Sequence, residues 1–77
     1  MVTEALEYLV RSIVRNPEEV RVTERAGRRG TTLNVVVNPD DLPRVIGRRG
    51  RTAQSIRTVV RAAATRDGVE IDVDFVD

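Results

Sequence analysis

An α+β fold of order αββααβ, one three-stranded sheet with three helices on a single face, is predicted by three features of the 77-residue sequence. Helical segments carry apolar residues at i, i+3, i+4 spacing, the period of one buried stripe. Three shorter runs alternate apolar and polar residues, as strands with one covered face do. The breaks between them fall at Asn-Pro, glycine-rich and Asp-Gly steps, which interrupt regular structure. Stripes of this kind must be covered, and one helical layer on one sheet is the economical way to do it.

Taken in order, Val2, Ala5, Leu6, Leu9, Val10 and Ile13 predict an amphipathic helix over 3–15, capped by Thr3 and stopped by Asn16-Pro17. Val20 and Val22 alternate with Arg21 and Thr23, and Leu33, Val35 and Val37 alternate again. These two strands form a hairpin around a loose, basic loop, Ala26 to Gly30. Asn38 to Asp41 breaks the second strand and supplies an aspartate cap. A short helix with Leu42, Val45 and Ile46 on one face follows, and Pro43 is tolerated in its first turn. A longer helix begins near Thr52 or Ala53. Ala53, Ile56, Val59, Val60 and Ala63 form its stripe, and Gln54, Arg57 and Arg61 lie on a different face. Asp67-Gly68 ends it. In the last strand Val69, Ile71, Val73 and Phe75 point to the core, while Glu70, Asp72 and Asp74 point away. Two helices separate the second strand from the third, so the pair should lie parallel through a right-handed crossover. The open sheet face is then polar (Arg21, Thr23, Thr32, Asn34, Glu70, Asp72, Asp74), with Val36 and Val76 as exceptions.

The length accommodates one domain, residues 1–77, with a thin core: a chain of this size buries about 60% of its unfolded surface. Cysteine, histidine and lysine are absent, and all 13 basic residues are arginine. That composition excludes disulfides, thiolate nucleophiles and zinc-finger ligand sets. Ser12 and Ser55 have no partner at catalytic spacing, and no carboxylate lies near the glycine turn described below, so no enzyme is expected. No metal or cofactor is expected either. Glu70, Asp72 and Asp74 line a strand without converging and read as a solvated face. The sequence shows neither a signal-peptide pattern nor a run approaching a membrane span, so the expected location is the cytoplasm.

The formal net charge is only +1, yet its distribution is uneven. Residues 42–66 hold seven arginines (Arg44, Arg48, Arg49, Arg51, Arg57, Arg61, Arg66) and no acid, whereas residues 67–77 hold five acids and no base. A local field of this kind is the footprint of an anion-binding surface. At its centre "VIGRRGRT" (45–52) places Gly47 and Gly50 around two arginines, between one helix and the start of the next. Glycine at both ends allows positive φ and close approach of a foreign backbone. The following helix aims its first N–H groups and its positive dipole end at the same place. Spacing rules out a P-loop, which needs four residues between its glycines, and a dinucleotide fingerprint, which needs a third glycine straight after a strand.

The pattern that fits is the GXXG loop, which clamps about four nucleotides of single-stranded backbone. Preceded by Val45-Ile46 and set within αββααβ order, it resembles that of a type II KH domain along the whole chain. "PDDLPRVIGRRGRTAQSIRTVVRAAA" (39–64) is more closely similar to the KhpA family of small bacterial single-domain RNA-binding proteins. The resemblance implies single-stranded RNA as ligand, held with low sequence specificity. It maps the binding loop onto Gly47, Arg48, Arg49 and Gly50, and the apolar residue before it onto Ile46; Arg51 follows as a further phosphate contact. It also implies an RNA-chaperone or post-transcriptional role linked to cell elongation and division, together with a larger KH-containing partner, KhpB. A groove this short needs doubling to bind usefully, so a homodimer or a complex with that partner is expected. The rival is a KH fold retained only for protein dimerisation, against which the two central arginines argue. Arg57, Arg61 and Arg66 read as a solvated helix face, and Arg28 and Arg29 as a soluble hairpin tip.

Overall fold

The computed structural model describes residues 2–76. Helix α1 (Val2–Ile13) leads into a hairpin of β1 (Arg21–Gly27) and β2 (Gly30–Val36). Then come α2 (Leu42–Ile46), α3 (Arg51–Arg66) and β3 (Ile71–Phe75). Short 3-10 turns at 17–19, 39–41 and 48–50 join them. The order is the predicted αββααβ. Strand β2 lies in the middle, antiparallel to β1 and parallel to β3, the arrangement expected of a two-helix crossover.

Leu6 and Val10 of α1, Val45 of α2 and Ile56 and Val60 of α3 close on Val20, Leu33, Val35, Val37 and Val73 in one buried cluster. The opposite sheet face is polar as expected; Val36 and Val76 are its exposed apolar exceptions.

Several boundaries differ from the sequence reading, each for a local reason. Helix α1 ends at Ile13 rather than at 15, and Thr3 lies within it, its hydroxyl donating to Glu24 Oε1 (2.8 Å) instead of capping. The hairpin loop is not loose. β1 and β2 stay paired to Gly27↔Gly30, leaving Arg28 and Arg29 as a two-residue turn. Ladder bonds carry that polar stretch where alternation gives no signal. Val69 is not in the third strand but is 50% exposed. It serves the end of α3, where Val69 N–H donates to Ala64 O (2.9 Å) and Gly68 N–H to Thr65 O (3.0 Å), a Schellman closure. The α3 stripe is Ala53, Ile56, Val60 and Ala64. Val59 and Ala63 fall outside it and are exposed, as is Ala5 on α1.

The aspartate at the break before α2 does something the sequence does not announce. Asp41 does not cap its own helix. Only 1% exposed, its carboxylate accepts from the backbone N–H of Arg15 (3.1 Å) and Asn16 (3.0 Å) and from Asn16 Nδ2 (2.9 Å). It thereby ties the end of α1 to the start of α2. Burial by itself would raise this carboxyl's pKa, but the three N–H donors and the nearby Arg44 outweigh it and hold the group below its ordinary 3.8.

A folded-state pKa below the unfolded value means that the contribution is present above about pH 4 and disappears as pH falls through the folded value. Asp41→Asn turns an acceptor toward the same donors only in part and presents an amide to the rest. Urea titrations should show a lower midpoint than the parent at pH 7, and a smaller further loss between pH 5 and pH 3. Equal midpoints at pH 7 would remove Asp41 as a tether.

Candidate nucleic-acid interface

Helix α2 has only five residues, with Val45 buried and Ile46 half-buried against the core, so the loop that follows starts from a fixed point. Gly47 N–H donates to Pro43 O (2.9 Å) and Gly50 N–H to Gly47 O (3.1 Å), and the N–H of Arg51 returns to Arg48 O. The chain reverses with three positive φ angles: Gly47 (φ 77°, ψ 171°), Arg49 (φ 59°, ψ 24°) and Gly50 (φ 74°, ψ 14°). Arginine in the left-handed region is strained by about 1–2 kcal/mol. Strain of this kind concentrates at functional turns.

The two glycines are not equivalent. At Gly47 a Cβ would overlap Thr52 Oγ1 and lie 2.9 Å from the Thr52 nitrogen, so this glycine is required by the first turn of α3 itself. At Gly50 a Cβ would meet nothing within 4 Å. The open approach expected at both positions is therefore present at Gly50 alone.

Arg48, Arg49 and Arg51 are exposed, and among the described residues none of them pairs with an acid. No side chain caps the N-terminus of α3 beside them. Three arginines without an acid partner among the described residues thus stand just before or at the positive end of a 16-residue helix. Ile46, Gly47, Arg48, Arg49, Gly50 and Arg51 lie together in one turn, with Ile46 half-buried at the edge of the core.

The remaining arginines of the basic block separate. Arg61 Nη2 donates to Asp72 Oδ1 (2.6 Å), and this bond and charge hold the Asp72 carboxyl below its usual range. Arg57 is half-buried rather than solvated. Its Nε donates to Val73 O (3.0 Å), and its guanidinium carbon lies 5.4 Å from the centroid of the Phe75 ring. Sequence reasoning placed Arg57 on a solvated face because the strand it meets lies 16 residues on. A depression of about 510 Å³ at the other end of α3 is bordered by Arg29 and Arg61 but also by Glu70 and Asp72, a balance that makes it a poor anion site.

Gly50→Ala should cost only about 1–2 kcal/mol, the left-handed penalty, with no clash. Gly47→Ala should cost about 3 kcal/mol or more, because a conformation nearly closed to other residues is combined with overlap against Thr52. Urea unfolding of both variants measures the difference; equal losses would contradict the asymmetry.

The KhpA/KhpB KH-domain family matches residues 3–75. Among relatives, the RNA-binding protein KhpA of Streptomyces coelicolor is 56% identical over 77 residues, covering 100% of this chain and 96% of that protein. The RNA-binding protein KhpA of Leifsonia xyli is 51% identical over the same length and 99% of its own. That of Clostridium perfringens is 40% identical over 73 residues, 95% of this chain and 97% of its own. Among solved structures, Aquifex aeolicus Era bound to GDP and AlF4⁻ superposes with a TM-score of 0.64 at 15% identity, over 96% of this chain and 29% of Era. Era in complex with MgGDPNP and nucleotides 1506–1542 of 16S ribosomal RNA superposes at 0.62 with the same identity, over 96% of this chain and 28% of Era. At that identity the likeness to Era is one of fold. With αββααβ order, a mixed three-stranded sheet and a glycine-bracketed turn between its second and third helices, the chain belongs to the KhpA/KhpB KH-domain family.

Proposed function

We propose that residues 1–77 act as one KH domain that binds single-stranded RNA in a groove running from the glycine turn along α3 and the edge of the sheet. The observation that carries this reading is the turn itself: unpaired Arg48, Arg49 and Arg51 around an uncapped helix start, with open space at Gly50. In this reading Gly50 admits the ribose-phosphate backbone, Gly47 sets the turn that lets it do so, the three arginines neutralise phosphates and Ile46 supports a base. Relatives named as RNA-binding proteins support the same assignment. Tyr8 and Phe75 are the only aromatic residues and lie outside the turn, so stacking contributes little and overall sequence specificity is low. The reading involves no catalysis, cofactor or metal, and the site of action is the cytoplasm. Among the described residues no helix is long and apolar enough to cross a membrane. A role as RNA chaperone or post-transcriptional regulator in cell elongation and division follows from the family resemblance.

A groove for about four nucleotides without stacking aromatics binds weakly on its own, and a second linked groove raises affinity through effective concentration. We therefore propose a dimer, with a second copy or with the larger KH-containing protein KhpB. Exposed apolar side chains on the helices, Tyr8 at 73% and Val59 at 57%, favour helix surfaces over the polar sheet face as the seam.

Replacing both Arg48 and Arg49 by Asp should abolish binding to a fluorescein-labelled single-stranded octamer while thermal unfolding moves little. For the parent, three phosphate contacts on a single strand predict a slope of log K against log[salt] near −2. Unchanged affinity in the double variant, or a slope near zero, would place the site elsewhere. Sedimentation of the purified chain, alone and mixed with KhpB, should give a dimeric mass in at least one setting. A strict monomer in both that still binds RNA tightly would overturn the dimer.

A further inference from the structure

The alternation of β3 leaves a set of backbone groups without strand partners. Glu70 O accepts from Thr31 N–H (3.0 Å) and Val76 N–H donates to Val35 O (2.9 Å), so the even-numbered residues of this segment face β2. Ile71, Val73 and Phe75 therefore turn their N–H and C=O groups to the open edge of the sheet. Onto this edge α3 lowers Arg57. Its Nε donates to Val73 O (3.0 Å), and its guanidinium carbon lies over the Phe75 ring, 5.4 Å from the centroid. The bond through Nε anchors the group to the strand edge, and the Phe75 ring lies on one side of it. The four N–H donors on its two Nη atoms make no bond to any described residue.

Charge near this fork is already settled. Asp72 is occupied by Arg61 at 2.6 Å, and Asp74 shares the other sheet face with it. Gly50, Gln54, Arg57 and Arg61 follow i, i+4, i+7, i+11 spacing, one row along α3. From Gly50 to Arg57 is seven residues, roughly 10 Å along the helix axis. Stacked nucleotides advance about 3.4 Å each, so a four-nucleotide footprint beginning at the loop reaches this point.

We infer that Arg57 is a specificity-determining residue, whose Nη pair reads a base with two adjacent hydrogen-bond acceptors on one edge. Guanine offers N7 and O6, and cytosine offers N3 and O2. Adenine sets a donor beside its acceptor, and uracil separates its two carbonyls by N3–H. A planar fork held rigid by its third nitrogen matches the first pair and mismatches the second. This inference rests on the RNA-binding reading above and deepens it: phosphate contacts at the turn supply affinity without sequence information, while Arg57 selects at one position.

The test measures affinities for uridine octamers carrying a central GG, CC or AA, against all-uridine RNA, by fluorescence anisotropy at one salt concentration. The parent should prefer the GG or the CC octamer about tenfold or more over both the AA and the all-U octamers, and whichever arm wins identifies the base. Arg57→Gln should bring that ratio to near one. Arg57→Lys keeps the charge but loses the fork, so it should flatten the ratio as well; it guards against loss of fold in the Gln variant, with urea midpoints recorded for both. A parent without base preference, or variants that retain it, would overturn the inference. If such variants keep the preference while the Arg48/Arg49 double Asp variant loses all binding, the RNA-binding reading stands and this assignment alone falls. If the parent binds none of the octamers, both fall together.

Discussion

The Asp41 carboxylate, buried at the point where β2 gives way to α2, is the interaction on which the site's position depends. A helix of five residues cannot hold itself together, since helix formation begins to be favourable only over many more. α2 is fixed from outside instead: Val45 is sunk in the core, and Asp41 is bonded to Arg15 and Asn16 where α1 ends. A buried carboxylate without partners would be strongly unfavourable, so those donors and the acid require one another. Everything from Ile46 to Arg51 hangs from this short, doubly held segment. The geometry of an exposed turn is thus set by a contact on the far side of a helix.

Within the turn, freedom and constraint are divided between residues that look alike in sequence. Gly47 is filled against by Thr52, and Gly50 faces open space. Between them Arg49 is held left-handed, a conformation that a flexible loop would relax. The strain is tolerated because the turn is clamped at both ends, by α2 before it and by α3 after it, where Ala53, Ile56, Val60 and Ala64 are buried. Rigidity of this kind places guanidinium groups in advance of any ligand, which lowers the ordering cost of binding.

The electrostatics follow from the fold rather than from the net charge. Seven arginines stand together in the sequence, but folding gives them different tasks. Arg61 is committed to Asp72, Arg57 to the edge carbonyl of Val73, and the arginines of the turn to no acid among the described residues. The C-terminal strand returns along α3, and its Asp72 compensates Arg61 in the C-terminal half of the helix. Positive potential is left at the helix start, where the dipole adds to it.

The fold was legible in the sequence because the helix and strand periods of the apolar residues differ, and both are local properties of the backbone. Element order, the parallel β2–β3 pair, the polar sheet face and the turn with its glycines and arginines all follow from that pattern. Local spacing does not contain what distant chain segments do to one another. Asp41 looks like a helix cap until Arg15 and Asn16 are brought to it from 26 and 25 residues away. Val69 continues the strand alternation until the end of α3 claims its N–H. Gly47 and Gly50 are interchangeable until Thr52 packs against one of them, and Arg57 is a solvated arginine until a strand edge arrives beneath it. Periodicity determined which elements form; the pairing of groups far apart in the chain, possible only after collapse, decided which side chains are free to meet a ligand.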